Sequence, residues 1–501
     1  MIDIEKMITN KYPKLKKNKI INGAISKFAD SIVHQEEIKI IANDFLSEFK
    51  PLEPILLNIN NFQARQKKEA IAQVYEALQN DMALIIFPSG EVSRASAQGI
   101  RDKKWYKGFL KFANRSSAPI LPVFIGGQNS KTFYSVSAIN KKLSALLLSN
   151  EMFKQKNNSI EIIVGEIIPN KNIIPKGIQQ DKLIELYKKQ VYNLKKNKNY
   201  FVTQKAIAHP EDRRDLKREL KQAEILGTTK DGKQIYLYSS VDTDSIILNE
   251  IGRLREYSFR KVGEGINKKR DIDKYDRYYK HIILWDNEDL EIVGAYRIAE
   301  TASVVKNFGK DALYTTTLFD FNTNFDKYLN NSIELGRSFV QPKYWGSRAL
   351  DYLWQGIGAY LRNNPEIKYL FGPVSLSASY SNVAKDMILY FYDKNFKDTD
   401  NLVNAKLPYN FKSDETLIQN LKEELYAKDY KQNFKTLKKA LSSIESNVPT
   451  LYKQYADICE DGGIKFCAYN IDPDFSNCVD SFIIVEIDKM KESQKKRYIY
   501  E

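Results

Sequence analysis

The sequence predicts an α/β protein of two domains, on three observations. The chain has 501 residues, and at about 150 residues per domain this length predicts roughly two to four domains. Residues 55–165 alternate short apolar runs with helical stretches, an order typical of an α/β domain with a mostly parallel sheet. From Gln234 onwards a helix is followed by a hairpin and further strands. We place the boundary near residue 205 and expect domains at 1–205 and 206–501.

The first domain is predicted from apolar runs bounded by turn residues and from helical periodicity between them. The predicted strands are Ala83–Phe87, Ala118–Ile125 and Ile160–Gly165, and the predicted helices are Glu69–Leu78 and Lys107–Ala113. The segment Asp212–Ala223 is predicted to be a charged helix that joins the two domains.

The second domain is predicted to contain helices and a mixed sheet. Its predicted elements are a strand at Ile235–Tyr238, a helix at Ser245–Phe259, a hairpin of Tyr279–Trp285 with Glu291–Arg297, a strand at Ser332–Val340, a helix at Ala349–Arg362 and a strand at Lys368–Val374.

The charge balance favours an anionic partner. The chain carries 77 Lys and Arg against 63 Asp and Glu, a net charge of +14, which suits nucleic acid, an anionic bilayer surface or an acidic protein. No nucleic-acid recognition motif is visible, so we expect no nucleic-acid partner. Three cysteines without CxxC spacing support neither disulfides nor a zinc site, and a reducing cytoplasm fits them. No apolar run is long enough for a signal peptide or a membrane span, so contact with a membrane would be at its surface.

The sharpest motif of the first domain is Phe87–Arg94, where a predicted strand runs into a turn. A glycine gives access to the backbone there, and a hydroxyl and a guanidinium can bind an anion. An ordinary strand-to-helix turn capped by serine is the equally weighted alternative. The predicted anion cradle consists of Pro88, Gly90, Glu91, Ser93 and Arg94.

With Trp105–Phe109 and Ala118–Val123, this motif resembles the glycerophosphate acyltransferase family over residues 39–170. The resemblance implies an O-acyltransferase fold that acts on a lyso-lipid, with the histidine of an HxxxxD motif as general base. Of the three histidines, His34 and His209 have no Asp five positions later. His281 has Asp286, but on a predicted hairpin strand these two side chains face opposite sides.

The family's HxxxxD block would lie between a helical lead-in resembling residues 1–38 and the element Ile40–Leu46, which are joined directly here. We therefore interpret the first domain as internally truncated, with its O-acyl transfer lost.

The second domain contains several closely spaced blocks, namely Glu250–Arg260, Gly263–Gly265, Asp271–Asp276, Gly294–Arg297, Ile333–Val340 and Pro342–Gly346. Over residues 225–490 they resemble the ornithine-lipid and glycine-lipid N-acyltransferases and, more distantly, the acyl-homoserine-lactone synthases. The resemblance implies a GNAT-like α/β fold with a mixed sheet and transfer of a 3-hydroxyacyl chain from acyl carrier protein, or from CoA, to an amino acid. It implies no bound cofactor and no metal, and an oxyanion stabilised by backbone N–H groups at a splayed strand.

Charged residues of these blocks suit an amino-acid acceptor, which brings a carboxylate and an ammonium group. Candidate cations for the carboxylate are Arg255, Arg260, Arg297 and Arg337, and candidate anions or bases are Asp273, Asp276 and Glu334. Structural ion pairs are the alternative, weighted equally for Arg253 and Glu256 on a helix side expected to be exposed. We predict Glu334 as the general base with Arg337 in the catalytic site, while Asp273 and Asp276 bind the acceptor or order the loop.

Together these features predict an aminolipid synthase, peripheral on the inner face of the cytoplasmic membrane. Candidate docking patches for acyl carrier protein or the membrane are Lys268–Arg270 and Lys491–Arg497. A membrane-surface scaffold of hemolysin type and a lactone signal synthase are the alternatives. The first domain and the extension past Phe396 argue against the signal synthase.

Overall fold

The computed structural model describes residues 38–42, 56–58, 68–80, 82–96, 99–140, 144, 147–148, 150–151, 154, 159–175, 177–242, 244–413, 415–425 and 429–500. The chain divides into two compact units, Met1–Ala206 and Ile207–Glu501. The predicted lead-in helix of residues 1–38 lies almost entirely outside the described residues, as does His34.

The N-terminal unit contains short strands around a small helical core. Its described strands are β1 (Ile38–Ala42), β2 (Leu56–Asn58), β3 (Ala83–Ile85), β4 (Arg94–Ser96), β5 (Gly99–Arg101), β6 (Val123–Ile125) and β7 (Ile162–Val164). Its described α-helices are α1 (Lys68–Gln79), α2 (Gly108–Arg115), α3 (Lys131–Ile139) and α4 (Gln180–Tyr192). The parallel order predicted from the sequence holds for β2-β1-β3, but β6 and β7 pair antiparallel with each other.

The C-terminal unit is built on one large sheet. Its strands are β8 (Glu224–Thr228), β9 (Gln234–Tyr238), β10 (Lys280–Asp286), β11 (Glu291–Glu300), β12 (Phe319–Phe321), β13 (Ser332–Val340), β14 (Tyr369–Leu376), β15 (Val403–Ala405), β16 (Ile464–Asp472) and β17 (Cys478–Glu486). Its α-helices are α5 (Arg213–Leu220), α6 (Ile246–Val262), α7 (Thr301–Phe308), α8 (Ala349–Asn363), α9 (Asn382–Phe396), α10 (Glu415–Glu424), α11 (Tyr430–Ser443), α12 (Thr450–Ile458) and α13 (Glu492–Lys495).

The eight strands of the sheet lie in the order β16-β17-β14-β13-β11-β10-β9-β8. Within it, β13 and β14 run parallel, and every other neighbouring pair is antiparallel. The predicted mixed sheet is therefore confirmed. Helix α8 packs on one face through Leu353 and Ile357, and α6 belongs to a separate core that includes Ile251 and Leu254.

The sequence explains where α6 begins and ends. Ser245 accepts a hydrogen bond from the backbone N–H of Leu248, which caps the first turn. Gly263 ends the helix in the left-handed conformation, at φ +82°, which a glycine adopts without steric cost. The charged helix predicted at 212–223 is α5, capped by Asp212, and its Leu216 joins the same core as α6. Among the helices that the structure describes, none has the length and apolar character needed to cross a bilayer.

Candidate active site

The candidate site lies where β13 and β14 diverge. The two strands are paired from Ser332 to Glu334 of β13 and from Tyr369 to Phe371 of β14, and then both continue without that pairing. The strands are still close at Gly372, where a Cβ atom would overlap the carbonyl oxygen of Leu335. Beyond this point β14 stays paired with β17 and β13 with β11, so a gap opens between β13 and β14.

A bulge turns Arg337 towards this gap. The register of β13 against β11 shifts between Ala295 and Arg297, and Arg337 has φ +48°, which is costly for a residue with a side chain. The guanidinium of Arg337 lies 4.7 Å from the centre of the Tyr314 ring and 5.0 Å from that of Phe475. Its Nη1 donates to the Tyr314 hydroxyl at 2.9 Å. Backbone strain maintained by such contacts is a feature of functional sites.

Arg297 is a deeply buried cation of the site, with a relative exposure of 1%. Its Nη1 donates to Asp273 at 2.6 Å and to Asp276 at 3.1 Å. Its Nε and Nη2 have no hydrogen-bond partner among the described residues. The guanidinium carbon lies 5.2 Å from the centre of the Tyr314 ring, so Arg297 and Arg337 contact the same tyrosine. A buried guanidinium with two unused donors is suited to an anionic ligand.

Asp276 and Arg255 form a supporting pair behind Arg297. Two donors of Arg255 each lie 2.8 Å from the Asp276 carboxylate, and both side chains are almost fully buried. Although burial acts in the opposite direction, Arg255 and Arg297 hold the pKa of Asp276 well below its usual range. The prediction that Arg255 contacts substrate is therefore corrected, because its donors are occupied by Asp276 and by the backbone of Asp271. The carboxylate of Asp276 is likewise paired with cations of the protein, Arg255 and Arg297.

Asp273 is the more open of the two aspartates, with a side chain 24% exposed. It caps the short 3-10 turn Lys274–Arg277 by accepting from the N–H of Tyr275 at 2.9 Å. Its carboxylate also lies 3.8 Å from Arg337. Asp273 therefore orders the loop and links Arg297 to Arg337.

Helix α6 is buried on more sides than its sequence predicts. Arg253 and Glu256 have relative exposures of 7% and 0%, so the expectation that they lie on an exposed face is wrong. Glu256 accepts from Arg260 at 2.6 Å and from the N–H of Ile266 at 3.1 Å. The segment after the helix folds back over it, and Arg260, predicted to bind substrate, is paired with Glu256 instead.

Glu334 sits at the closed end of the gap and is fully enclosed, with 1% exposure. Its carboxylate accepts from the Thr315 backbone N–H at 2.6 Å, from the Thr315 hydroxyl and from the Tyr279 hydroxyl. Burial raises the pKa of Glu334, although these hydrogen bonds oppose the rise. With three donors on two oxygens, Glu334 holds the segment that carries Tyr314 against the sheet.

His281 contacts the Arg255–Asp276 pair and not Asp286. Its Nε2 lies 3.7 Å from Asp276, and burial lowers its pKa to about 4, so the ring is neutral at pH 7. Asp286 instead accepts from the N–H of Glu288 at 2.9 Å in the hairpin turn. The HxxxxD spacing at His281 therefore does not form a catalytic pair.

In the N-terminal unit the predicted anion cradle is occupied by its own side chains. Arg94 lies 3.3 Å from Glu91 and donates to Ser137. Ser93 donates to Asp102 at 2.5 Å. Gly90 has φ +63°, as the turn requires, and the carbonyl of Pro88 accepts from the N–H of Tyr106 at 2.9 Å. The cradle residues come together as predicted, but their charged groups are paired with each other or with neighbours.

Family models match both units. A model described as an acetyltransferase (GNAT) domain matches residues 254–355, and one described as an acyltransferase matches residues 19–200. The chain is 33% identical over 306 residues to the glycine N(alpha)-acyltransferase of Phocaeicola vulgatus, which covers 58% of this chain and 92% of that protein. The chain belongs to the glycine N(alpha)-acyltransferase family. The family resemblance predicted from the sequence is thereby confirmed. The seven charged residues predicted for the site of the second domain all lie within the part of this acyltransferase that the GNAT model matches.

Two further relatives are similar to shorter stretches of this chain. A lyso-glycine lipid O-acyltransferase of Bacteroides thetaiotaomicron is 32% identical over 139 residues, which cover 26% of this chain and 51% of that protein. An L-ornithine N(alpha)-acyltransferase of Brucella abortus is 28% identical over 199 residues, which cover 34% of this chain and 69% of that protein. The acyltransferase thus has similarity to both N-acyl and O-acyl enzymes of aminolipid synthesis.

Sequence reasoning missed several residues of the acyltransferase site. Tyr314 and Phe475 enclose Arg337, and Asp271 lies 3.3 Å from its Nε. Asp480 is almost fully buried in β17, where it accepts from Ser375 at 2.6 Å. An aspartate in the largely apolar strand Cys478–Glu486 is a signal that could have found it.

Proposed function

We propose that the protein transfers an acyl chain from a carrier thioester to the α-amine of an amino acid, with glycine as the first candidate. The observation that carries this proposal is Arg297, which is buried but has two donors without a partner among the described residues. A small α-amino acid supplies the carboxylate that such a group binds. Glycine is favoured over ornithine because the glycine-specific relative is aligned over 92% of its length at higher identity.

In this proposal Arg297 and Arg337 bind the acceptor carboxylate, and the gap between β13 and β14 receives the thioester. A strand edge released from pairing offers backbone N–H groups that can stabilise the oxyanion of a tetrahedral intermediate. The bulge at Arg337 brings its side chain to the same place. Acceptor and thioester would then meet beside Tyr314, which contacts both arginines.

For Glu334 we propose a positioning role in place of the general base predicted from the sequence. Its oxygens are engaged by Thr315 and Tyr279, and it lies at the paired end of the gap. Loss of these contacts would free Tyr314 to move. Arg337 would then lose its position as well, because it donates a hydrogen bond to the Tyr314 hydroxyl.

Acyl carrier protein is our proposed donor, because it is acidic and this chain has a net charge of +14. Acyl-CoA is the alternative donor, which a comparison of the two thioesters at equal concentration would test. A lipid product also suits a location at the inner face of the cytoplasmic membrane, where the basic segments near Lys268 and Lys495 could contact anionic lipid.

We further propose that the N-terminal unit does not carry out O-acyl transfer. A hydroxyl acceptor needs a positioned base, and residues 38–206 contain no histidine. The cradle charges are also paired within the unit. The mono-acylated product would then accumulate unless another enzyme completes the lipid.

The test is to incubate the purified full chain with long-chain 3-hydroxyacyl carrier protein and, separately, glycine, ornithine, lysine and serine, followed by mass spectrometry. We expect an N-acyl amino acid with glycine as the best acceptor and no O-acylated product. If no acceptor gives an amide, the proposed function is wrong.

A further inference from the structure

Asp480 borders the open end of the gap between β13 and β14. Asp480 of β17 pairs in register with Ser375 of β14, and Glu334 of β13 pairs with Phe371 of β14. Ser375 follows Phe371 by four residues along β14. Because side chains alternate along a strand, Glu334, Phe371, Ser375 and Asp480 share one face of the sheet. Four residues of strand span about 13 Å. Glu334 therefore lies at the closed end of the gap, whereas Asp480 lies towards the end where the strands are apart.

Glu264 is held over the same end of the gap. On one side of it, the carbonyl of Val262 accepts from Ser377 at 2.6 Å, and on the other the carbonyl of Gly265 accepts from Ser476 at 2.7 Å. Ser377 is two residues beyond Ser375, and Ser476 is four residues before Asp480. The carboxylate of Glu264 is partly buried, and no described residue forms a hydrogen bond or ion pair with it.

The cations on the same face point independently to a ligand here. Arg297 is 1% exposed and has two donors without a partner in the described part of the chain, and both Arg297 and Arg337 contact the Tyr314 ring. Phe475, which packs on Arg337, belongs to the same β16–β17 connection as Ser476. The face therefore has buried guanidinium donors that the described residues leave unused and, in Glu264, a carboxylate that receives no hydrogen bond from them. An amino acid, with its carboxylate and ammonium group, complements both.

We propose that Asp480 and Glu264 form the pair of carboxylates that takes the proton from the acceptor ammonium, a role that rests on the function proposed above. Asp480 is supported in this position by the hydroxyl of Ser375 at 2.6 Å and the thiol of Cys478 at 3.6 Å. Glu264 has the freer carboxylate and is the more accessible to solvent.

The electrostatics of the two carboxylates suit this role. Burial and the charge of Asp480 raise the pKa of Glu264 to about 8. Burial, with the charge of Asp472, raises the pKa of Asp480 to about 6, although the hydrogen bond from Ser375 opposes the rise. A base whose pKa lies near neutrality accepts a proton from an ammonium group far more readily than an ordinary carboxylate does. The charged and titratable groups that act on this pair are Arg337, Tyr314, Asp472, Cys478, Tyr380 and Tyr452.

The proton balance of the reaction is simple. The ammonium gives one proton to the carboxylate pair, and the free amine attacks the thioester carbonyl carbon to form the C–N bond. As the tetrahedral intermediate collapses, the C–S bond breaks and the thiolate leaves with the second nitrogen proton. The carboxylate then releases its proton to solvent, so one acyl thioester and one amino acid give one amide, one thiol and one proton.

The experiment compares Asp480→Asn and Glu264→Gln with the wild-type full chain, using glycine and aminooxyacetate as acceptors. Aminooxyacetate also has a carboxylate, but at neutral pH its nitrogen is a neutral NH₂ group and not an ammonium. With glycine we expect kcat to fall by about 10²–10⁴-fold for Asp480→Asn, the range of general acid–base catalysis. For Glu264→Gln, which leaves Asp480 in place, we expect a smaller loss of about tenfold, below that range. With aminooxyacetate most of each loss should disappear, because the acceptor needs no base before it attacks.

Asp474→Asn is the matched control, since Asp474 is exposed on the same connection and loses the same charge. We expect it to leave turnover unchanged. Wild-type turnover by both carboxylate variants would overturn the assignment, as would an equal loss with both acceptors, which would indicate a structural role. If the wild-type chain forms no amide from glycine, the proposed function fails instead, and the two failures are thus distinguishable.

Discussion

The two charged sites of the chain differ in how their charges are balanced. In the N-terminal unit Arg94 lies against Glu91 and Ser93 donates to Asp102, so the cradle is complete without a ligand. In the C-terminal unit Arg297 is buried with two donors that no described residue uses, and the Glu264 carboxylate accepts no hydrogen bond from the part of the chain that the structure describes. A buried charge that is not fully paired costs free energy, and a substrate of opposite charge can remove that cost. We therefore expect substrate to bind in the C-terminal unit.

The largest effect on the binding of the acceptor carboxylate is expected from Arg297→Lys. A lysine ammonium cannot hold Asp273 and Asp276 and also bind a carboxylate through two further donors. We expect kcat/KM for glycine to fall by at least about 100-fold, equivalent to about 3 kcal/mol. Steady-state kinetics on the full chain measure this, with thermal unfolding as a check that the variant is folded. Unchanged kcat/KM in a folded variant would remove Arg297 from the site.

Arg337→Lys should have the next largest effect, and mainly on acceptor binding. Lysine preserves the charge beside Tyr314 but loses the planar fork, so we expect KM for glycine to rise about tenfold with kcat nearly constant. Arg348→Lys is the control, because Arg348 forms an exposed ion pair with Asp351 at 2.9 Å. A similar rise in KM in both variants would show that the effect is not local.

Glu334→Gln separates the positioning role from a proton-accepting role. Glutamine keeps the shape but accepts more weakly from Thr315 and Tyr279, so we expect kcat to fall about tenfold, with the pH dependence of kcat unmoved. A much larger loss, of about 10³-fold or more, together with loss of the acidic limb of the pH profile would restore Glu334 as the base.

Glu264→Gln should change the pH dependence of stability. The pKa of Glu264 is raised to about 8 in the folded protein, so the folded state keeps a proton that the unfolded state loses from about pH 4.5 upwards. In the wild type, the contribution of this group to the free energy of unfolding is therefore highest at low pH and falls as the pH rises to about 8. The Tm of the variant relative to wild type should increase by about 2 °C between pH 5.5 and 8.5. A constant difference across this range would contradict the raised pKa.

The smallest effect is expected from Arg94→Ala in the N-terminal unit. Its partly exposed ion pair with Glu91 is worth about 1 kcal/mol or less, and it takes no part in N-acylation in our account. We expect unchanged N-acyl product and a slight loss of thermal stability. A strong loss of N-acylation would show that activity in the C-terminal unit depends on the N-terminal unit, and would contradict the division of roles between the two charged sites.

Much of the C-terminal fold was predictable because its elements have strong local patterns. The strand predicted at Ser332–Val340 has the observed bounds, and the hairpin around Asp286–Asp289 forms as expected. The predicted charged residues Arg297, Asp273, Asp276 and Arg337 are also neighbours in the structure.

Their division into substrate-binding and supporting residues was not predictable from sequence. Arg255 and Arg260 have the same residue type as Arg297, but long-range folding places Asp276 and Glu256 against them. Helix α6 is covered by the segment after it and by Phe475, which lies 5.0 Å from Phe259 although 216 residues separate them in the chain. Asp480 enters the site only because β17 pairs with β14, a pairing that no local pattern reveals.

In the proposed function, Arg297 and Arg337 bind the carboxylate of the acceptor while the α-amine of the acceptor is acylated. The most direct measurement is kcat/KM of the purified full chain for glycine and for glycinamide, which has the same α-amine but no carboxylate. We predict amide formation from glycine at a kcat/KM at least about 100-fold above that for glycinamide, and a smaller ratio in Arg337→Lys. Equal values for the two acceptors, or no amide from glycine, would contradict the account.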